Sequence, residues 1–268
     1  MILGNAMSVL SFWMFYKLVE RDFGNRVAGD SLVLLLAFPG AVFFSFPYTE
    51  SLYFIMVMVF FWGLARERHF WVCITSFLMP LTKAIGVFAV VPLAWHLHDR
   101  KRGLGYWLLV LAPLLGYASY FALMYAWTGN ALDGFEAQKA YPYSPSVLNI
   151  LNVGGFVRTF LHIGSVDGMT DSALDRLFFI FLALLLPWIY RRNRAWFLYS
   201  LAAGLIPAGT SWFMSYRRYI MVCFPVFIVL AQLLAKTKQR WIFWYYVAWL
   251  AALQVWAVKE LVNFGWAG

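Results

Sequence analysis

Long apolar runs occupy most of the chain, and short clusters of basic residues separate many of them. An apolar helix needs about 20 residues to cross a bilayer, so the shorter runs imply tilted helices or a locally thinned membrane. This pattern predicts an all-α integral membrane protein that crosses the bilayer several times. The runs that we interpret as spans are 1–17, 31–46, 51–65, 104–127, 174–190, 195–213, 219–235 and 241–263.

The stretch 70–97 has a different character, because a proline, a lysine and a glycine lie near its middle. As a single helix it would place the basic clusters before and after it on opposite sides of the membrane. A break gives two short segments, 70–81 and 84–97, and puts both clusters on one side. Such a polar turn between half-membrane helices is tolerated where it lines a cavity. The prediction is therefore about ten transmembrane or half-membrane helices in one domain, 1–268.

The basic residues divide unequally between the two sides of this topology. Lys and Arg number 21, and 14 of them fall on one side, which the positive-inside rule makes cytoplasmic. The opposite, outer side carries one long loop, 128–173, with an aromatic motif at 141–145. Because the loops are otherwise compact, we expect the inner membrane of a bacterium. The 14 are Lys17, Arg21, Arg26, Arg66, Arg68, Arg100, Lys101, Arg102, Arg191, Arg192, Arg194, Lys236, Lys238 and Arg240.

Composition supports the membrane assignment and narrows the chemistry. Apolar residues make up 63% of the chain and charged residues 12%, about half the charged share of a soluble domain. The net charge of +9 is explained by topology, so we expect no nucleic-acid partner. No spacing of His, Cys and acids suggests a metal, and no phosphate-binding or dinucleotide glycine motif is present. We therefore expect neither a metal nor a cofactor.

Four charged residues stand out at the outer side. Glu50 starts an apolar run and either lines a wet cavity or caps a helix. Lys83 at the proposed break either meets an anionic phosphate or reaches towards the interface. Arg217 and Arg218 open another run, and they either bind phosphate or anchor a helix end among lipid headgroups.

These segments carry a resemblance to a known family. The run 38–54, FPGAVFFSFPYTESLYF, resembles the signature of the PIG-V family, the GPI mannosyltransferase 2 type, and its bacterial relatives. The segments 82–86 and 215–219, followed by Pro92 and Pro225, resemble two later elements of that family. The resemblance covers roughly residues 30–230.

The resemblance implies a GT-C architecture with its site on the outer side. Such an enzyme is a hexosyltransferase that moves a sugar, typically mannose, from a polyprenyl-phosphate carrier to a lipid or glycan acceptor among the membrane lipids. The reaction needs a carboxylate base and cations that hold the departing phosphate. By resemblance Glu50 is the catalytic candidate. The substrate or lipid-phosphate ligands implied are Tyr48, Lys83, Arg217, Arg218 and Tyr219.

One departure from the family pattern concerns the N-terminal catalytic loop. The family carries an acid in a Trp-Asp context there, and this sequence has no Trp-Asp pair. We therefore expect upstream helices and that loop to be missing from the chain as given. If the chain acts alone, its base is among five outer acids. Two other hypotheses stay open, a transporter or flippase of lipid-linked sugars and a non-catalytic membrane subunit. The five acids are Glu50, Asp133, Glu136, Asp167 and Asp171.

Overall fold

The computed structural model describes residues 2–140, 145–237 and 239–263. Within these ranges every regular element is a helix, apart from one isolated bridge between Ser165 and Ser172. Short 3₁₀ segments connect several α-helices, and a π-helical segment at Leu201–Leu205 joins α9 to α10. The α-helices are α1 Ile2–Ala37, α2 Glu50–Arg66, α3 His69–Thr82, α4 Val90–Asp99, α5 Leu111–Thr128, α6 Asp133–Glu136, α7 Val153–Leu161, α8 Ala173–Arg192, α9 Arg194–Ser200, α10 Ile206–Ser211, α11 Tyr216–Val222, α12 Pro225–Lys236 and α13 Arg240–Val262.

Four helical stretches in the described part of the chain are long and apolar enough to cross a membrane. A fifth is gained if the bent pair α11 and α12 forms one span. Many large apolar side chains also lie on the surface of the bundle, which suits a lipid environment. These features indicate an all-α, membrane-embedded protein. The four stretches are Ile2–Ala37, Leu104–Thr128, Ala173–Arg192 and Arg240–Val262.

Helix α1 reverses direction near its middle, at Gly24, whose dihedral angles of φ 79° and ψ 167° are not helical. An uninterrupted helix of its 36 residues would be about 54 Å long. The Ser8 hydroxyl nevertheless donates a hydrogen bond of 2.5 Å to the carbonyl oxygen of Phe44, a few residues beyond the end of α1. The apolar runs 1–17 and 31–46 therefore lie side by side with the basic segment between them.

The predicted break in 70–97 is confirmed. Helix α3 ends at Thr82, and Lys83 has an extended backbone before the 3₁₀ segment Ala84–Ala89 and α4. Arg102, after α4, forms an ion pair with Glu67, before α3. Since these partners flank the two segments, α3 and the 84–99 segment fold back on each other and both basic clusters lie at the same end.

The region read from sequence as one span over 219–235 is a bent pair of helices. Helices α11 and α12 meet at an angle of 72° across the break at Cys223 and Phe224. Pro225 begins α12, and a proline has no N–H to continue the hydrogen bonding of the preceding helix. The apolar pattern continues through this break, so hydropathy alone does not reveal it.

Part of the outer loop 128–173 is helical. Helix α7 exposes Val153, Val157 and Leu161, which recur every four residues and so share one face. An apolar stripe of this kind suits a helix lying in the membrane interface. Four residues of the aromatic motif, 141–144, lie outside the described residues, as does Lys238.

Candidate functional site

Glu50 is the first residue of α2, and its side chain is completely buried. One carboxylate oxygen, Oε1, accepts hydrogen bonds from two cations that come from distant parts of the chain. Lys83 Nζ lies 3.0 Å away, while Arg218 donates from Nε at 2.8 Å and from Nη2 at 2.5 Å. We call these three side chains the Glu50 cluster.

The turn before Glu50 is held by hydroxyl groups. Ser8 and Ser51 both donate to the carbonyl oxygen of Phe44, and their own oxygens lie 2.7 Å apart. Just before this turn, a Cβ on Gly40 would lie 2.9 Å from the carbonyl oxygen of Arg217. The absence of a side chain at position 40 therefore lets the 39–44 segment pack directly against α11.

Lys83 is placed by a tight turn at the break after α3. The N–H of Gly86 donates to the carbonyl oxygen of Lys83 over 2.7 Å. A Cβ on Gly86 would lie only 2.3 Å from the carbonyl carbon of Met79, so this position tolerates glycine alone. The lysine and glycine of this segment therefore act together, since the glycine allows the turn that carries the lysine.

Arg218 follows a turn with an unusual backbone. Trp212, Phe213 and Ser215 all have positive φ, at 51°, 66° and 57°. Left-handed conformations are unfavourable for residues with a side chain and persist where surrounding packing enforces them. Trp212 and Phe213 are buried, and this packed turn fixes how α11 presents Arg218.

Aromatic rings complete the cluster. The guanidinium of Arg218 lies over the rings of Phe43 and Tyr48, 4.7 and 4.6 Å from their centroids. Lys83 Nζ lies 5.4 Å from the centroid of Tyr219. Cations over aromatic faces are held by the ring quadrupole. The structure therefore brings five of the six predicted site residues together and adds Phe43, which the sequence analysis did not single out.

The Glu50 cluster carries one uncompensated positive charge, because two cations share one carboxylate. Both cations are partly exposed at the surface of the protein: the Lys83 side chain is 14% exposed and that of Arg218 is 22% exposed. Burial lowers the pKa of Lys83, and the Glu50 carboxylate opposes that shift. A second anion beside the cluster would stabilise the positive charges of Lys83 and Arg218, so the arrangement suits the binding of a phosphate.

Glu50 also retains a free acceptor. Its Oε2 atom is buried and has no hydrogen-bond partner among the residues that the structure describes. Since both cations lie on Oε1, the second oxygen is the part of this carboxylate that can accept a proton or a further hydrogen bond. The assignment of Glu50 as the catalytic residue stays a prediction.

Arg217 is the predicted site residue that does not join the cluster. Its side chain is fully buried and forms an ion pair with Asp167 of the outer loop. Its backbone N–H donates to Asp175 Oδ1 over 3.2 Å, and its Nε lies 4.0 Å from the same oxygen. Two carboxylates therefore surround Arg217, and its charge ties the loop to α8 and α11. Asp175 was missed from sequence, although an acid near the start of an apolar run was the available signal.

The remaining outer acids have separate surroundings. Asp171 accepts a hydrogen bond from the Ser165 hydroxyl over 3.1 Å within its own loop. Glu136 accepts from the Asn130 amide over 3.0 Å, and Asp133 and Glu136 both lie on the surface. Asp167 is thus the loop acid nearest to the Glu50 cluster along the chain of contacts: it pairs with Arg217, and the next residue, Arg218, pairs with Glu50. Its pKa is raised by burial, against the opposing effect of Arg217.

Three concavities, of about 410, 440 and 500 Å³, lie at the opposite end of the bundle, among the basic residues. The Glu50 cluster is thus defined by its charged groups and not by these cavities.

Among the described residues there is no group of three His, Cys, Asp or Glu side chains suited to a metal ion. Comparisons with protein-family models, curated proteins and solved structures found no match for this chain.

Proposed function

We propose that the protein is a membrane glycosyltransferase, or part of one, that uses a sugar linked to a polyprenyl phosphate. The observation that carries this proposal is the convergence of Lys83 and Arg218 on the single buried carboxylate of Glu50. A lipid phosphate that leaves during the reaction is stabilised by cations in a poorly solvated site. The Glu50 cluster contains two cations and one carboxylate, so its net charge is +1.

In the proposed reaction an acceptor hydroxyl attacks the anomeric carbon of the sugar. The bond from that carbon to the phosphate oxygen breaks, and the electron pair leaves with the lipid phosphate. Lys83 and Arg218 stabilise the negative charge that develops on that phosphate. The acceptor proton passes to a carboxylate, for which Glu50 Oε2 is the candidate inside the cluster.

The finer features of this proposal follow the PIG-V resemblance. They are a GT-C architecture of about ten transmembrane or half-membrane helices, a site on the outer side, a lipid or glycan acceptor and a bacterial inner membrane. The Glu50 cluster lies at one end of α2, and the basic Arg66 lies at the other. This arrangement supports an outward-facing site, because basic residues mark the cytoplasmic end.

The experiment is a transfer assay on membranes that contain the protein, with radiolabelled polyprenyl-phosphate mannose as donor. We expect Lys83→Gln and Arg218→Gln each to lower transfer about a hundredfold or more, the loss typical of removing one charge-stabilising donor. The control is Arg192→Gln, which removes the same charge at the basic end, and it should keep wild-type transfer. Wild-type rates in both cluster variants would exclude the proposed site.

A transporter or flippase of lipid-linked sugars is the second candidate. The break at Lys83 and the 72° bend between α11 and α12 favour it, since discontinuous helices commonly surround transport sites. Sealed vesicles distinguish the two functions. Movement of the labelled lipid to the opposite leaflet with the sugar still attached would support transport, whereas a labelled acceptor would support transfer.

A further inference from the structure

A lateral groove at the basic end of the bundle lies between α1, α2 and α3. Its volume of about 500 Å³ falls within the range of about 300–1,000 Å³ common for ligand sites. Its walls are mostly apolar, and cations line the same space. The residues that matter here are three tryptophans and three cations: Trp13, Trp62, Trp71, Lys17, Arg21 and Arg66.

The groove is separate from the Glu50 cluster. Glu50 is the first and Arg66 the last residue of α2, which has 17 residues and a length of about 25 Å. The residues of α2 that line the groove, such as Trp62, come from the second half of the helix. Substitutions in the groove therefore leave the cations around Glu50 in place.

The charge lining the groove has one sign. Lys17 pairs with Glu20 at 2.6 Å and Arg21 pairs with Asp22 at 2.6 Å, and both acids lie outside the lining. Arg66 is exposed and has no carboxylate partner among the described residues. The groove thus offers an unpaired guanidinium beside two further cations, a combination that complements a phosphate.

The three tryptophans of the groove are exposed on the surface of the bundle. Trp13 is 58% exposed, Trp71 is 46% exposed and Trp62 is 37% exposed. Tryptophan is favoured where a membrane meets water, with its amphipathic ring at the level of the lipid headgroups. A ligand that matches this surface needs both an apolar tail and an anionic head.

We propose that this groove binds an anionic phospholipid. Its phosphate contacts Arg66, flanked by Lys17 and Arg21, and one acyl chain packs along Trp62 and Trp13. Basic pockets between membrane helices at the cytoplasmic side are suited to anionic headgroups. This binding goes beyond the proposed glycosyl transfer and holds whatever reaction occurs at Glu50.

The test uses the purified full chain in detergent, titrated with phosphatidylglycerol or phosphatidylcholine of identical acyl chains and followed by native mass spectrometry. We expect phosphatidylglycerol to bind at least about fivefold more tightly, since each nearby cation contributes roughly that factor. Arg66→Gln should lower its affinity about fivefold, and Arg66→Lys should retain most of it. Arg26→Gln is the charge-matched control, because Arg26 is exposed and lines no described cavity, and it should bind as wild type does.

The tail contact has its own control. Trp62→Ala should weaken the binding of both lipids, whereas Trp249→Ala, at a tryptophan with 39% exposure on α13, should weaken neither. Glycerol phosphate in millimolar excess should not displace the lipid, because it lacks acyl chains. Displacement would assign the groove to a soluble phosphate. The proposal would be overturned by such displacement, and also by equal affinity for the two lipids. It would be overturned as well if Arg66→Gln and Arg26→Gln lost affinity equally. Matching elution profiles and unfolding temperatures establish that the variants are folded.

Discussion

Arg217 and Arg218 are adjacent in the chain, yet their guanidinium groups belong to different charge clusters. Arg218 donates to Glu50 at one end of α2, whereas Arg217 pairs with Asp167 of the outer loop. Side chains one position apart on a helix point about 100° away from each other, because a turn has 3.6 residues. One arginine therefore contributes to the candidate site, and its neighbour fixes the helix and loop around it.

Removing the carboxylate of the Glu50 cluster should destabilise the protein. Glu50→Gln leaves Lys83 and Arg218 together without a counter-charge in a largely buried place. We expect a loss of about 2–3 kcal/mol once the partial exposure of both cations is discounted. The measurement is thermal unfolding in detergent micelles.

The matched control for this change is Glu67→Gln. Glu67 also pairs with an arginine, Arg102, but its side chain is 43% exposed. Water can replace the lost partner there, so the unfolding temperature should hardly change. Equal shifts in the two variants would mean that the Glu50 pairing is no stronger than a surface pair.

Tyr48 should support donor binding through the contact of its ring face with Arg218, and its hydroxyl should make no contribution. It lies 4.6 Å from the Arg218 guanidinium and is 47% exposed. Tyr48→Ala should raise the KM for the lipid-phosphate donor about fivefold, which corresponds to about 1 kcal/mol for a cation over an exposed ring. Tyr48→Phe keeps the ring and should keep the KM. A loss of similar size in Tyr48→Phe would indicate instead that the hydroxyl makes the contact.

The acid that pairs with Arg217 should make stability depend on pH. Burial raises the pKa of Asp167 above its ordinary value of 3.8. The folded protein then binds a proton more tightly than the unfolded chain, so stability falls as pH rises from that value through the folded pKa.

Asp167→Asn removes this titrating group. The difference in unfolding temperature between the variant and wild type should therefore shift in favour of the variant as pH rises from 3.8, the ordinary aspartate pKa, through the raised pKa of Asp167 in the folded protein. Asp171→Asn, in the same loop, serves as the comparison, since the Asp171 carboxylate accepts a hydrogen bond from the Ser165 hydroxyl and Arg217 pairs with Asp167 instead. A constant difference between Asp167→Asn and wild type across this range would contradict the assignment.

The glycine of the Lys83 turn should not accept a side chain. In Gly86→Ala the new Cβ would lie 2.3 Å from the carbonyl carbon of Met79, which is backbone and cannot rotate away. We expect a loss of about 3 kcal/mol or more, or failure to insert into the membrane. Gly154→Ala is the control, because nothing lies within 4 Å of its Cβ position and alanine favours a helix. It should leave the unfolding temperature unchanged or raise it.

The sequence by itself determined that the chain is helical and membrane-embedded, and it located the turn at Lys83. Apolar runs specify helices because backbone groups in lipid must pair within their own segment. The break after Thr82 was also readable, since the charges on either side of 70–97 belong at one end, where Arg102 indeed pairs with Glu67. The 72° bend before Pro225 was not recognised, because the apolar pattern runs through it and the proline alone was too weak a signal.

Only the tertiary structure decided which charged groups meet. Lys83 and Arg218 are 33 and 168 positions away from Glu50, and hydropathy says nothing about the rotation of one helix against another. The separation of Arg217 from Arg218 depends on that rotation and on the packed left-handed turn before α11. Local pattern thus fixes which segments are helices and where polar groups interrupt them. The partners of each buried charge follow from three-dimensional packing, because a carboxylate in a poorly solvated place pairs with whichever cations the helices bring to it.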